Sequence, residues 1–274
     1  METVIIFLKD LLTKSTSKNV LYKRNLLKEY LQLIILDFVY SHPKYSHLIF
    51  YGGSCLSHCF GLPRLSEDLD FVDLKNEIGI SELAKDLENY FMKDTDLNTS
   101  TYIQKFIIYL KFPVLQELKV AKEGESNLIF LKIEVFKGFG FCKSYEIEII
   151  PLFKFNKSIL IRTFDLPTLM ATKIRAILYR KWEKTDKNGR TLIKVKGRDY
   201  FDLMWYFEKG VKPNIECIEN VNNKNELKEK LSKIVEKIDS RSIQLDLEPL
   251  MENEIYVEDL SGNIKRILLN QLSK

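Results

Sequence analysis

The sequence predicts an α+β fold, in which a mixed β-sheet with flanking helices is followed by a helical C-terminal half. Residues 128–136 and 145–150 alternate apolar and polar side chains with the period of a β-strand. Apolar residues recur at helical spacing in residues 19–41, and again in several stretches after residue 165. With 274 residues, 45% of them apolar, the chain is long enough for one compact domain or two small ones.

The N-terminal half begins with a long helix over residues 19–41, which we expect to end near Pro43. A short apolar run then meets Gly52 and Gly53, which predicts a strand that enters a tight turn. A short helix follows until Gly61 breaks it. Further along this half, the patterns predict a strand, a helix and three more strands: residues 68–73, 80–93, 102–112, 128–136 and 145–150.

The pattern changes near residues 155–165. Asp165 is placed to cap a helix that has Pro167 in its first turn, and further helical stretches follow. No linker rich in glycine, serine or proline separates the two halves. We therefore expect a core over residues 1–160 and a helical C-terminal region over residues 161–274 that closes its cleft.

The composition indicates the cellular compartment of the protein and the redox state of its cysteines. No apolar run approaches the roughly 20 residues that a membrane-spanning helix needs, and the N-terminus carries no basic, apolar leader. We therefore expect a cytoplasmic protein without a membrane partner. Because four cysteines in so long a chain do not suggest a disulfide framework, we expect all of them to be free thiols.

Positive charge is concentrated in one stretch. Residues 173–198 contain ten lysines and arginines against Glu183 and Asp186, a formal charge of +8 (10 − 2), whereas the whole chain carries +4. Such a stretch suits an anionic partner, nucleotide or RNA, although a solvated lysine-rich loop has the same composition. Tyr179 and Trp182 lie among these cations and could either stack on bases or belong to the core.

The most informative stretch starts with Gly52, Gly53 and Ser54, directly after a predicted strand. Glycines at this place allow backbone N–H groups to approach a phosphate, with the N-terminus of a helix behind them. By itself, the pattern is also typical of an ordinary turn.

Two carboxylates follow on the next predicted strand. Because side chains alternate along a strand, Asp68 and Asp70 project from one side while Leu69 and Phe71 enter the core. Neighbouring acids repel each other unless a cation lies between them, and Mg²⁺ is commonly held by one or two carboxylates together with substrate phosphates. Taken alone, such a pair is also common on solvent-exposed strands.

The combination of a glycine turn, a helix and a strand with two acids resembles the signature of the nucleotidyltransferase fold, specifically that of the AbiEii-type toxin family, which includes the MenT-like toxins. The residues that carry the resemblance are Gly52, Gly53, Ser54, Arg64, Ser66, Asp68, Leu69 and Asp70. The resemblance covers about residues 51–207 and implies a nucleotidyltransferase-like mixed sheet, with residues 1–160 as the catalytic core.

The segment over residues 131–138 is similar to the second motif of this family. Its period of two puts Lys132 and Glu134 on one face of a strand. Glu134, where the family commonly has aspartate, would supply a third metal carboxylate. Glu146 and Glu148 on the next predicted strand are alternatives for that place.

Two later segments resemble the third and fourth motifs. In the third, Lys173 and Arg180 lie seven residues apart, on one face of a helix. In the fourth, Asp199 and Asp202 open a helix. The resemblance implies a role for Lys173 and for one of the two acids, and it leaves open which acid that is.

The family resemblance implies a metal-dependent nucleotidyltransferase that moves a nucleoside monophosphate from an NTP to an RNA acceptor, with the 3′ end of tRNA as the expected acceptor. It also implies the toxin of a toxin–antitoxin system, with a cognate antitoxin as partner. The metal, Mg²⁺ or Mn²⁺, is expected at Asp68, Asp70 and Glu134. The residues expected to act in catalysis are Asp68, Asp70, Glu134, Lys173, Asp199 and Asp202. Those expected to bind the nucleotide are Gly52, Gly53, Ser54, Arg64, Ser66, Lys132 and Arg180.

Two other functions fit the same residues. One is a nucleotidyltransferase that acts on a protein or a small molecule, and the other is a protein that binds nucleotide or RNA without catalysis. A pure binding module has no need to assemble three acids and a lysine in this order, which favours an enzyme.

Overall fold

The computed structural model describes residues 3–180, 183–185, 189, 191–193 and 195–274. The chain divides into two compact units, of which the first comprises Met1–Phe139 with Glu148–Thr163, and the second comprises Gly140–Ile147 with Phe164–Lys274. Within the described residues, every helix falls short of the length and apolarity needed to cross a membrane.

The first unit contains helices in its first part and mainly strands in its later part. In chain order they are α1 (Val4–Lys14), α2 (Val20–Ser41), β1 (Ile49–Tyr51), α3 (Gly52–Phe60), β2 (Asp68–Asp73), α4 (Ile80–Asp94), β3 (Ser100–Gln104), β4 (Ile107–Phe112), β5 (Ile129–Lys137), β6 (Ile147–Lys154) and β7 (Lys157–Phe164). The strands form one seven-stranded sheet in the order β3-β4-β5-β2-β1-β7-β6. Strand β2 is parallel to β5 and antiparallel to β1, so the sheet is mixed, as the sequence predicts.

One face of this sheet forms the core of the unit. Leu69 of β2 and Leu131 of β5 are fully buried, and Phe91 of α4 packs on Phe112 of β4 with ring centroids 5.0 Å apart. Burying a side chain of this size stabilises the fold by about 1.5–3 kcal/mol. The residues between them on each strand point to the other face, which is much more open.

The helix ends in this unit follow their local sequence. The Asn19 side chain accepts hydrogen bonds from the N–H groups of Leu21 and Tyr22 and so caps α2, which ends before His42 as predicted. Gly61, with a φ of 74°, adopts the left-handed conformation that ends α3.

Two hairpins depart from the sequence prediction. Residues 102–112 are not one strand but parts of β3 and β4, because the chain reverses at Lys105, whose φ is 57°. Strand β7 is absent from the prediction, and the turn before it lies at Phe155 and Asn156, with φ values of 50° and 60°. A tight hairpin turn needs such positive φ values, and glycine is their usual sign in a sequence; neither turn contains one.

The second unit is mostly helical, which confirms the predicted helical C-terminal half. Its elements are α5 (Leu166–Tyr179), β8 (Lys184–Thr185), β9 (Thr191–Ile193), α6 (Gly197–Glu208), α7 (Lys224–Val235), α8 (Ser240–Leu247) and α9 (Glu254–Leu272), with single 3-10 turns at Ile215–Cys217 and Glu248–Leu250. Helix α6 contacts α5, α8 and α9 and is the centre of the unit. Asp165 precedes α5 and Pro167 lies in its first turn, but the Asp165 carboxylate makes no capping hydrogen bond.

The expectation of four free thiols is wrong for one pair. Cys142 and Cys217, 75 positions apart, are joined by a disulfide within the second unit. Cys55 and Cys59 are free, as expected. Spacing along the sequence does not reveal such a pair, because connectivity depends on the fold.

The packing of α6 on α8 predicts a large effect of one methyl group. A Cβ at Gly197 would lie 2.7 Å from the Cα atom and 3.0 Å from the carbonyl oxygen of Ile243. Because backbone cannot rotate aside, we expect Gly197→Ala to lower the free energy of unfolding by about 1–3 kcal/mol. Thermal unfolding followed by circular dichroism measures the change.

Gly262→Ala is the matched control. Gly262 lies within α9, and a Cβ there meets no atom within 4 Å. Since alanine favours a helix over glycine by about 0.5–1 kcal/mol, we expect this variant to unfold at the same temperature or higher. A Gly197→Ala protein as stable as the wild type would contradict the described packing.

Candidate active site

The register between β2 and β5 brings four charged side chains together. The two strands are parallel, with Asp68 opposite Lys132 and Asp70 opposite Glu134. Directly opposite residues in adjacent strands project from the same face, with Cβ atoms about 5 Å apart. The structure therefore gathers three predicted metal ligands and the predicted nucleotide-binding lysine on the open face of the sheet.

Lys132 is the ion-pair partner of two of these acids. Its Nζ atom lies 2.9 Å from Oδ2 of Asp68 and 2.5 Å from Oε1 of Glu134. Burial acts to lower the pKa of Lys132, but the two carboxylates outweigh it and raise that pKa above the ordinary value. The lysine is thus a fixed cation that offsets part of the repulsion between the acids.

Three glutamates were candidates for the third acid: Glu134, Glu146 and Glu148. Glu134 is the one that lies beside the aspartates. Glu148 lies on β6, which is separated from β2 by β1 and β7 in the sheet. Glu146 precedes β6 and is exposed. The geometry therefore favours Glu134 as the third acid.

The oxygen donors fit a hard divalent cation, which prefers carboxylate oxygens and water. However, no group of three or more His, Cys, Asp or Glu side chains in the described part of the chain is arranged as a metal site. Lys132 lies where a cation would balance Asp68 and Glu134. The donor chemistry thus suits Mg²⁺ or Mn²⁺, and occupancy would require the lysine to share or yield its contacts.

The glycine turn packs directly on the acidic pair. Gly52, the first residue of α3, has a φ of 80°, and a Cβ there would lie 2.5 Å from Oδ2 of Asp70. A side chain at this position would therefore meet both strain and a clash. The absence of a Cβ lets the Asp70 carboxylate lie against the N-terminal turn of α3, where backbone N–H groups attract anions.

Arg64 and Ser66 support the same turn from beneath. A Cβ at Gly53 would lie 2.7 Å from a guanidinium nitrogen of Arg64 and 3.1 Å from Oγ of Ser66. Arg64 is only 4% exposed and donates to the Leu65 carbonyl oxygen at 2.8 Å. Its guanidinium group thus packs against the turn at Gly53.

The side chain of Ser54, the third residue of the glycine turn, is bonded within the protein. The side chain is buried and its hydroxyl donates a hydrogen bond to the carbonyl oxygen of Asp68. This bond ties α3 to the start of β2. The backbone N–H of Ser54 is the group that remains suited to phosphate.

Sequence reasoning missed a buried polar network behind this loop. Gln32 of α2 donates through Nε2 to the Ser66 carbonyl oxygen at 2.9 Å, so its Oε1 atom accepts from Nε2 of His58, 3.0 Å away. Burial, helped by the charge of Lys154, lowers the pKa of His58 to about 3, so the imidazole stays neutral. The network holds the segment before Asp68, and a glutamine on a helix gives no sequence signal of such a role.

A second cluster lies within the helical unit. Lys173 of α5 contacts both predicted acids of α6, with Nζ 2.7 Å from Asp199 and 2.7 Å from Asp202. Arg180 lies 3.5 Å from Asp199, as expected for a residue on the same helical face as Lys173. Burial would raise the pKa of Asp199, but the charges of Lys173, Lys196 and Arg180 lower it. Asp199 is therefore a carboxylate.

Lys196 also belongs to this cluster, although the sequence analysis did not select it as a site residue. It lines a small cleft of about 60 Å³ with Arg180, Asp199, Tyr200, Ala176, Ile177 and Val195. Burial and the neighbouring cations lower the pKa of Lys196 to about 8, although Asp199 opposes the shift. Lys196 is one of the ten basic residues between positions 173 and 198, and composition alone does not distinguish it from the other nine.

Most other described cations of residues 173–198 have intramolecular partners. Arg175 pairs with Glu219 at 2.5 Å, and Arg198 pairs with Asp246 at 3.2 Å. Tyr179 is half exposed, and its hydroxyl donates to the Glu219 carbonyl oxygen. Several residues of this stretch lie outside the described part of the chain: Lys181, Trp182, Lys187, Arg190 and Lys194.

Comparison with known proteins gives these features a family context. A sequence profile described as the nucleotidyl transferase AbiEii toxin of a type IV toxin–antitoxin system matches residues 37–269. JHP933 from Helicobacter pylori, a solved structure, aligns at 16% identity over 91% of this chain and 93% of its own, with a TM-score of 0.46. A candidate nucleotidyltransferase of H. pylori aligns at 15% identity over 90% and 96%, with a TM-score of 0.47. No curated protein matches the sequence.

The lowered pKa of Lys196 predicts a pH dependence of anion binding in the cleft. Because the lysine loses its charge as the pH rises through about 8, we expect pyrophosphate binding to weaken over that range. Lys196→Arg keeps its charge at every such pH, so we expect the variant to lose this dependence. Isothermal titration calorimetry of both proteins across the range measures it, and identical pH profiles would contradict the assignment.

Proposed function

The chain belongs to the AbiEii family of nucleotidyl transferase toxins of type IV toxin–antitoxin systems, and on that premise we propose that it transfers a nucleoside monophosphate from an NTP to the 3′ hydroxyl of an RNA, with tRNA as the acceptor. The observation that carries the proposal is the register of β2 and β5, which sets Asp68 and Asp70 beside Lys132 and Glu134. Since NTPs and tRNA are cytoplasmic, we expect the reaction to take place there.

The proposed reaction is a displacement at the α-phosphorus of the NTP. The acceptor hydroxyl oxygen forms the new bond, the bond to the β-phosphate oxygen breaks, and pyrophosphate leaves with the bonding electrons. The hydroxyl proton passes to a carboxylate of the site or to water. Such chemistry depends mainly on positioning and on neutralising charge.

Three acids would hold a divalent metal in this proposal: Asp68, Asp70 and Glu134. Mg²⁺ or Mn²⁺ held there would neutralise phosphate charge and lower the pKa of the attacking hydroxyl. Gly53 and Ser54 would bind phosphate through their backbone N–H groups at the start of α3. Arg64 would add positive charge beneath the turn, and Ser66 would keep the turn in place.

The cluster on α5 and α6, within the second unit, would bind phosphate groups, the role that family membership suggests for Lys173 and Arg180. Arg180 and Lys196 line the cleft described above, and Lys173 is held by two acids. Asp199 also lines that cleft, whereas Asp202 is fully buried. We therefore assign Asp199 as the functional acid of the fourth motif, and Asp202 as the residue that positions Lys173.

Membership in a type IV toxin–antitoxin family implies an antitoxin as the biological partner and an NTP as a substrate. The division into a catalytic core over residues 1–160 and a helical region over residues 161–274 that closes the cleft stays a prediction.

Removal of one acid should abolish transfer without unfolding the protein. Asp70 is half-buried on the open face, and Asp70→Asn keeps its shape but removes a charge that would bind the metal. We expect a loss of at least about 10²-fold in labelling of RNA from radioactive NTP, with an unchanged circular dichroism spectrum. Asp259→Asn, at an exposed site on α9, is the matched control. An Asp70→Asn enzyme that labels RNA normally would contradict the metal site.

The acceptor is tested by labelling a whole-cell lysate with each radioactive NTP in turn. We expect the product to be destroyed by RNase and to survive protease, because the proposed acceptor is an RNA hydroxyl. Purified total tRNA should then accept the label in vitro. A product that survives RNase and is lost with protease would favour the alternative, transfer to a protein.

A further inference from the structure

The open face of the sheet carries a row of side chains that continues beyond the acids. Tyr102 of β3 lies opposite Tyr109 of β4, and Tyr109 lies opposite Lys132 of β5. Lys132 in turn lies opposite Asp68. Because directly paired residues share a face, the two tyrosines stand on the same surface as the proposed active site, within the first unit.

Aromatic side chains are unusually exposed on this surface. Tyr102 is 53% exposed and Phe130 is 44% exposed, whereas Ile108 and Leu110, on the other face of β4, are fully buried. Helix α4 packs on that buried face, where Phe91 contacts Phe112. A cluster of large exposed aromatic side chains marks an interaction site more often than a scattered apolar residue does.

The β3–β4 end of the surface carries positive charge. Strands β3 and β4 contain no aspartate or glutamate, and Lys111 lies with Nζ 5.3 Å from the centroid of the Tyr102 ring. Lys105 lies at the turn between these strands. Aromatic faces interleaved with lysines are the usual composition of a surface that binds single-stranded nucleic acid.

We propose that this surface, formed by Tyr102, Tyr109, Lys111 and Phe130, binds the unpaired 3′ end of the acceptor RNA. Bases stack on the tyrosines and on Phe130, and Lys111 neutralises the backbone phosphates. The proposal rests on the proposed function and specifies how its acceptor is held.

The distance from the surface to the acids suits this role. Three strand spacings separate β3 from β2, which is about 14 Å at about 4.8 Å per spacing. A few unpaired nucleotides span that length, so a strand stacked on Tyr102 and Tyr109 presents its 3′ hydroxyl at Asp68. A single nucleotide base covers only part of the row, which favours the RNA over the base of the NTP as the occupant.

The test uses the full chain and a short single-stranded RNA labelled with fluorescein at its 5′ end. We expect the double variant Tyr102→Ala/Tyr109→Ala to bind this RNA roughly tenfold more weakly or worse by fluorescence anisotropy. The KM for the RNA acceptor should rise by a similar factor, while the KM for NTP and the unfolding midpoint stay unchanged. Tyr102→Phe/Tyr109→Phe, which keeps the rings, should bind like the wild type.

Two further controls distinguish base stacking from other causes of weaker RNA binding. Phe153→Ala removes a more exposed aromatic side chain (76%) from β6, at the opposite edge of the sheet, and should have no effect. A blunt RNA duplex should not compete with the single strand, because its bases are not available for stacking.

Three results would overturn the proposal: RNA binding unchanged in Tyr102→Ala/Tyr109→Ala, a rise in the KM for NTP instead of RNA, or equal competition by the duplex. Each of these leaves transfer to RNA intact in the wild type, so the proposed function survives. A wild type that neither binds RNA nor transfers a nucleotide to it would overturn both.

Discussion

The parallel pairing of β2 with β5 is the constraint on which the site depends. It places Asp68 opposite Lys132 and Asp70 opposite Glu134, and the register is fixed by the alternate residues of the same strands, which are buried. A slip of one residue would turn the apolar side chains to solvent and the charged ones into the core. The hydrophobic core and the charged cluster are therefore two consequences of one register.

Holding three acids on one face opposes folding, and neighbouring groups reduce that cost. Lys132 contacts two of the carboxylates, and the N-terminus of α3 lies against Asp70 because Gly52 lacks a Cβ. These contacts are local and partly open to solvent, so salt weakens them. A divalent cation would have to compete with Lys132 for these carboxylates, and the flexible stem of a lysine allows it to move aside.

The sequence predicts those parts of the structure whose signals are local. The bounds of β2 follow from alternation and the end of α2 follows from Pro43, and the acids of β2 follow with the strand. The hairpin at Lys105 has no such signal, because a lysine at positive φ looks like any other lysine in a sequence. The Cys142–Cys217 disulfide and the cleft around Lys196 depend on contacts between distant segments, which a periodic pattern does not contain.

The asymmetry of the sheet explains why function accumulates on one of its faces. Helices α2 and α4 contact strands β3 to β5, and the buried side chains of those strands form one continuous core. The other face must then be polar or partnered, because an uncovered apolar surface favours aggregation. Polar side chains satisfy this condition on β2, and so do Lys132 and Glu134 on β5. Tyr102 and Phe130 do not. In the proposed complex, a nucleic acid strand whose bases stack on these rings would cover them, and Lys111 beside Tyr102 would contact its phosphates.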